Sequence, residues 1–386
     1  MKRIVVTLCL AVVAVMTFAS EELDIYTMLY KDSSSAAERF AVLKNVAESN
    51  IPGAGSLYAE ALAQLLLEQP TLKTIAERET ADASARLLAN LLGEAGYAAS
   101  AGDLWRAVQS FSNPLVKADA LIAIGRTRSP AHIDFVVKTL SDLNLNPTSD
   151  QDAGEKTAYG AILALEKYRE SAGYLPVFFA STGWYSRRVK DQAAATLPLI
   201  MDDPSEPLSS VIKSSGYEVK LLALQKADES KAPAAKKAGV ALIGLTEGWR
   251  AATNDVKDRV RLASLRKLSI GMLIRYGSAS DAAIPVLERS YKEGIDMEER
   301  LGAIQALASI KSDGAARSLS SFLMILNGKR KSNDITQDDE RLVRAVIPAL
   351  GSTGKTVARP ALKTVENLEW TNAVKVLAAD ALKKIP

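Results

Sequence analysis

One short pattern, written again and again from about residue 114 to the carboxyl end, constrains the fold more than any other feature. A basic residue is followed three places later by a small one, then three later by Ala or a substitute, and at once by an apolar residue. Lys117, Ala120, Ala123 and Ile124 show it first, and Lys190, Ala193, Thr196 and Leu197 repeat it. Lys220, Ala223, Lys226 and Ala227 form a weaker copy, followed by Arg261, Ser264, Lys267 and Leu268. Arg300, Ala303, Ala306 and Leu307 come next, and Lys375, Ala378, Ala381 and Leu382 close the series. Degenerate copies sit at Ala158, Ala161, Ala164, Leu165 and at Val343, Val346, Ala349, Leu350. Spacings of three and four put these side chains on one stripe of a helix. The small residues let a neighbouring helix come close, while the apolar ones fill the space between. Successive copies lie about 30 to 43 residues apart, with a mean near 37, a period that belongs to stacked helix pairs.

A second signal runs in step with the first. Pro176, Pro207, Pro285 and Pro360 fall about 18, 17, 24 and 17 residues after a motif start, which predicts a second helix with Pro in its first turn, where the missing donor costs little. The late Pro285 suggests extra residues around Met272 to Ser280. Turn signals stand between the two helices at Arg128-Ser129-Pro130, Asp202-Asp203-Pro204, Gly277-Ser278, Ser312-Asp313-Gly314 and Gly351-Ser352-Thr353-Gly354. Ala and Leu dominate and aromatics reach only 6%, so helices are favoured over strands. The stretch from Glu298 to Ile310 (EERLGAIQALASI), with its Gly-containing turn and second apolar helix, resembles the HEAT-repeat family, as does Leu115 to Gly125 (LVKADALIAIG). The resemblance covers residues 114–386 and departs at Ala158 and Val343, where the family's basic residue is absent. It implies an all-α fold, an α-solenoid of stacked antiparallel helix pairs, and it specifies architecture rather than activity.

Residues 20–113 carry the same Ala- and Leu-rich stripes less regularly, at Ala36 to Ala47, Leu57 to Leu67 and Ala83 to Leu92. They are expected to form irregular helical repeats and an amino-terminal cap, because a stack needs atypical ends to keep its last core face dry. No true domain boundary is expected at 113.

Residues 1–19 read as a signal peptide. Lys2 and Arg3 precede an apolar run from Ile4 to Phe18, and Thr17 and Ala19 supply small residues for cleavage after Ala19. The run of about 15 residues is shorter than the ~20 that a membrane-spanning helix needs. The expected location is therefore outside the cytoplasm, in the periplasm or cell envelope, with no integral membrane span. The single cysteine, Cys9, lies inside this leader, so the chain after it offers no thiol for a disulfide, a nucleophile or a metal.

Composition narrows function further. The formal charge of +3 includes Lys2 and Arg3, leaving a near-neutral chain with no general attraction for nucleic acid. A lone histidine, His132, cannot assemble a usual zinc or iron site and is expected at the start of a second helix. The acidic clusters Glu298-Glu299, Asp338-Asp339-Glu340 and Asp255 with Asp258 each fall where a first helix begins. There carboxylates cap helices and meet the positive dipole end, and Asp296/Glu299 and Thr336/Asp339 have capping-box spacing. No phosphate-cradling loop, nucleophile elbow or metalloprotease motif is present. The expected catalytic, cofactor and metal residues are accordingly none, and the chain is not expected to be an enzyme.

What remains is binding. Large aromatic and basic residues at repeat edges, Trp184, Tyr185, Arg187 and Arg188, are candidates for contacting a partner. So are Lys329, Arg330 and Lys331, read as part of a polar loop from Asn327 to Asp338. For all four tryptophans, Trp184 (with Tyr185) and Trp370 just before first helices, Trp249 near the end of a second helix, and Trp105, the commoner expectation is packing between repeats, because their large rings bury much area. The expected role is a scaffold for another exported or envelope protein; the alternatives are a structural part of a large envelope assembly or a helical-repeat enzyme.

Overall fold

The computed structural model describes residues 21–250, 253–277 and 280–386. The leader 1–19 with Cys9, and Ser278 of one predicted turn, lie outside the described residues. Among the described residues every regular element is helical and no strand occurs. The helices form two compact units, one ending at Met201 and one running Asp202–Pro386.

In the first unit, helix α1 covers 21–32, followed by α2 (Ala36–Ser49), α3 (Gly55–Glu68), α4 (Ile75–Glu94), α5 (Ala101–Ser110), α6 (Pro114–Thr127), α7 (Ile133–Leu145), α8 (Gln151–Tyr168), α9 (Tyr174–Thr182) and α10 (Arg187–Ile200). The first helices of the repeats, α2, α4, α6, α8 and α10, pack side by side in one layer. The second helices α3, α5, α7 and α9 form the other, and each packs against the first helix that follows it. The array crosses residue 113 without a break, since α4 and α5 both pack on α6. The small motif residues explain the close spacing. A Cβ on Gly125 would lie 2.4 Å from the Ala164 Cα, and one on Gly160 would lie 2.6 Å from the Ala118 Cα, so α6 and α8 touch backbone to backbone.

The second unit repeats the plan with α11 (Ser205–Ser214), α12 (Tyr217–Glu229), α13 (Ala234–Arg250), α14 (Val256–Tyr276), α15 (Ile284–Glu293), α16 (Met297–Ile310), α17 (Asp313–Lys331), α18 (Gln337–Thr353), α19 (Arg359–Glu366) and α20 (Asn372–Lys383). The even-numbered helices make one layer and the odd-numbered helices the other. Each unit is thus a stack of antiparallel helix pairs, the arrangement of an α-solenoid.

The motif register holds at most positions. Ala120, Ala123, Ile124, Ala161, Ala164, Ala193, Leu197, Ala303, Ala306 and Leu307 are all buried. It fails in α14, where Ser264 and Leu268 are only half-buried. Arg266, Ser269, Met272 and Leu273 are buried there, along with Leu262, Ala263, Leu265 and Ile270, and the first four repeat the pattern shifted by five residues. Measured from Arg266, Pro285 falls about 19 residues on, in line with its counterparts, and it occupies the first turn of α15. The extra residues therefore lie at the start of α14 and not around Met272 to Ser280. There Val256 and Val260 are exposed. Two overlapping copies of one pattern are indistinguishable by spacing, and only burial against α13 and α16 selects between them.

Helix ends follow local chemistry. Ser35/Glu38, Thr74/Glu77 and Thr336/Asp339 form reciprocal capping boxes, and Asp255 and Asp296 accept from the backbone N–H groups of Asp258 and Glu299. Each satisfies donors that the helix itself leaves free.

Candidate functional site

The first predicted group lies in the turn from α9 into α10. Tyr185 is buried, contrary to the expectation of an exposed anchor, and Trp184 is half-buried. The Trp184 indole Nε1 donates to the Leu143 carbonyl at 2.9 Å, and the Tyr185 hydroxyl lies 3.0 Å from Asn144 Oδ1. Their rings pack together with centroids 4.2 Å apart. Burial raises the Tyr185 hydroxyl well above its ordinary range, helped by the nearby charge of Glu155, so it serves as a neutral hydrogen-bonding group. Arg188 lies over the Tyr159 ring at 5.1 Å, and Arg187 projects into solvent beside Asp191. Of this group the two arginines are exposed, Trp184 is half-buried and Tyr185 is buried.

The second predicted group is in the other unit and is not a loop. Lys329, Arg330 and Lys331 form the last turn of α17, where basic side chains meet the negative end of the helix dipole. Lys329 Nζ reaches both carboxylate oxygens of Asp339 at 2.9 and 3.1 Å. Arg330 donates to the Glu369 carbonyl and covers the Trp370 ring at 5.5 Å. Lys331 is exposed. The polar composition of 327–338 concealed a helix end, because its charges are used to join α17, α18 and the α19–α20 turn.

The two groups share a device that the sequence reading missed. Asn144, near the end of α7, donates to the Pro176 carbonyl in α9 at 2.8 Å and accepts from Tyr185. Asn327, near the end of α17, donates to the Ala361 carbonyl in α19 at 3.3 Å and accepts from Trp370 Nε1 at 3.0 Å. In both cases the amide joins consecutive second helices to an aromatic residue two places before the next first helix. Asn has the donor and acceptor needed for both jobs at once. A single Asn per latch, about 41 to 43 residues from its aromatic partner, leaves no periodic signal to find.

Acidic cluster residues do more than cap. Glu299 is almost fully buried and meets Arg266 in a two-pronged pair, Nε to Oε1 at 2.5 Å and Nη2 to Oε2 at 3.0 Å. Arg266 and Arg289 stack over the Trp249 indole at 4.1 and 4.5 Å, and Trp249 Nε1 donates to Ser290 Oγ. Lys220 and Glu247 make a second buried pair at 2.8 Å. These charges are mutually satisfied, which suits cohesion of the helix stack. Among the described residues no group of three His, Cys, Asp or Glu could hold a metal ion. His132 stands at the start of α7 with Nδ1 3.0 Å from Ser129 Oγ.

Exposed aromatic surface lies elsewhere, on the second helices of the first unit. Trp105 of α5 stacks on Phe135 of α7, centroids 4.9 Å apart at an interplanar angle of 20°. Phe135 is 41% exposed and Phe179 of α9 36% exposed, although large aromatics ordinarily bury most of their surface. His132 borders the stack, 5.8 Å from Phe135. The clue in the sequence was present but faint: Phe135 and Phe179 are offset around their helices from the buried Leu140 and Val177. The class defined by this architecture is an all-α helical-repeat protein with two compact units. No protein-family model and no curated protein matches the chain. No helix among the described residues is long and apolar enough to cross a membrane.

Proposed function

We propose that this protein is a non-enzymatic scaffold of the HEAT-repeat kind, exported to the periplasm or cell envelope, where it binds another exported or envelope protein. The observation that carries the reading is the Trp105–Phe135 stack with Phe179, aromatic surface left open on second helices of a regular array. Solvent-facing aromatics on a rigid repeat surface are the kind of residues that dominate protein–protein binding energies. Arg187, Arg188 and Lys331 are the members of the basic groups that are solvent-exposed and could add charge at a rim.

The test is crosslinking in living cells, followed by affinity purification and mass spectrometry of wild type and of Phe135→Ala with Trp105→Ala. Recovery of one or two exported proteins at stoichiometric yield, lost in the double variant, is expected. Capture that is unchanged in the variant, or capture of cytoplasmic proteins only, refutes the reading.

A further inference from the structure

The first unit also holds an open cavity of about 470 Å³ between the α2–α3 turn and the carboxyl end of α4, within the size range of small-ligand sites. Its walls include Asn50, Tyr58, Leu91, Glu94 and Tyr97. Two helices end on it. Asn50 is the C-cap of α2 and Ala95 that of α4, and neither helix has a basic residue in its last turn. A helix carboxyl end carries roughly half a negative charge; at α4 the Gly96 and Tyr97 N–H groups already bond the Gly93 and Leu92 carbonyls, so what this end offers a ligand is its dipole. Here two such ends face one cavity, and Glu94 adds a full carboxylate.

None of the residues lining the cavity is basic. Glu94 pairs with Arg126 of α6, whose guanidinium is 3.9 Å from Glu94 Oε1, at the limit of an ion pair, with the Glu94 side chain 68% exposed. That loose contact leaves Glu94 room for a second cation. The Tyr58 and Tyr97 rings supply π-faces, which attract cations when partly desolvated. Tyr97 is brought in against Gly55, where a Cβ would lie 2.8 Å from the ring. The turn opposite is shaped by Asn50 and Gly53, at φ 53° and 85°. Burial raises the Tyr58 hydroxyl above its ordinary value, so the ring acts as a neutral π-face and Glu94 is the charged group of the lining.

The geometry points to a binding site for an organic cation, an alkylammonium or guanidinium group held by Glu94, two helix carboxyl ends and the Tyr58 and Tyr97 rings. This site goes beyond the scaffold reading and does not rest on it. The cation has two natural sources, a Lys or Arg side chain of a bound polypeptide or a free amine, and the probes distinguish them. Calorimetric titration of the purified protein would use N-acetyl-lysine methylamide and N-acetyl-arginine methylamide for side chains and 1,4-diaminobutane for free amines. N-acetyl-norleucine methylamide is the neutral control. At least one cation is expected to bind about tenfold or more tightly than the neutral control. Glu94→Gln is expected to remove most of that preference, and Tyr97→Leu to weaken binding where Tyr97→Phe does not. Binding of the capped amino acids identifies a polypeptide side chain, and binding of the diamine alone identifies a free amine. Equal affinity for the neutral control, no heat with any cation, or full affinity in a Glu94→Gln protein with an unchanged melting temperature overturns the proposal.

Discussion

Removing the charge of Glu299 tests how the second unit is held together. Glu299 accepts two bonds from Arg266 and one from the Ile295 N–H, while Arg266 also donates from Nη1 to the Gly248 carbonyl at 3.0 Å. The side chains are 8% and 0% exposed for Arg266 and Glu299. Glu299→Gln turns one carboxylate oxygen into an NH2 group, so a donor faces a donor beside a guanidinium that can no longer be neutralised. Breaking one side of a buried pair costs about 3–5 kcal/mol. In a unit the size of Asp202–Pro386, each kcal/mol shifts melting by roughly 2–4 °C, so a fall of about 6–20 °C is expected. The partner substitution Arg266→Met removes the orphaned charge and keeps an apolar stem against Trp249. The double variant is therefore expected to recover about 2–3 kcal/mol relative to the sum of the singles. Urea unfolding followed by circular dichroism gives all three values. A loss below about 1 kcal/mol in Glu299→Gln, or strict additivity in the double variant, would show that the pair is solvated and that this account of the packing is wrong.

Four further outcomes follow from the same structure. Gly125→Ala, which drives a Cβ into the Ala164 backbone, is expected to lower stability by about 1–3 kcal/mol; Gly102→Ala, with open space around it on α5, should raise stability by up to about 1 kcal/mol in the same urea assay. Asn327→Ala strands Trp370 Nε1 and removes an extra donor from the Ala361 carbonyl, and Asn144→Ala strands the Tyr185 hydroxyl and removes an extra donor from the Pro176 carbonyl. Each is expected to cost about 1–3 kcal/mol, and a loss of only a few tenths would remove the latch as a common device. Asp339 is buried, which opposes its charge, but bonds from Lys329 and Thr336 outweigh this and hold its carboxyl below the ordinary 3.8. Its contribution is therefore present above about pH 4 and lost as the pH falls through the lowered value; Asp339→Asn should flatten the acid limb of a stability–pH curve, and an unchanged limb refutes the assignment. Thr336→Ala, which opens the same capping box, is expected to cost about 1 kcal/mol at pH 7.

The repeated stripe of small and apolar residues was legible because burial on one helix face imposes a period. It correctly located α6, α8, α10, α12, α16, α18 and α20, and Pro correctly marked the first turns of α9, α11, α15 and α19. The candidate site was much less legible. Trp184 and Tyr185 look like surface anchors in one dimension, since nothing local says that Leu143 and Asn144, about 41 residues earlier, will receive their polar tips. Lys329 to Lys331 look like a loop because the partners that make them a helix end, Asp339 and the Glu369 carbonyl, lie on other elements. Phe135 goes unnoticed for the opposite reason: an apolar residue in an apolar helix is taken as core unless the packing around it is known.

By itself, then, the sequence determined what depends on neighbours along the chain: helices, their caps and their period. Composition determined the lack of thiols after Cys9 and the near-neutral charge. The tertiary structure decided everything that depends on residues a full repeat or more apart. It chose Arg266 over Arg261 as the start of the α14 stripe, paired Arg266 with Glu299, buried Tyr185 and left the Trp105–Phe135 stack open. The reason is physical. A helix is specified by contacts three and four residues apart, which spacing records directly, whereas the face that meets the next repeat is chosen by packing between helices, which a one-dimensional pattern can satisfy in more than one register.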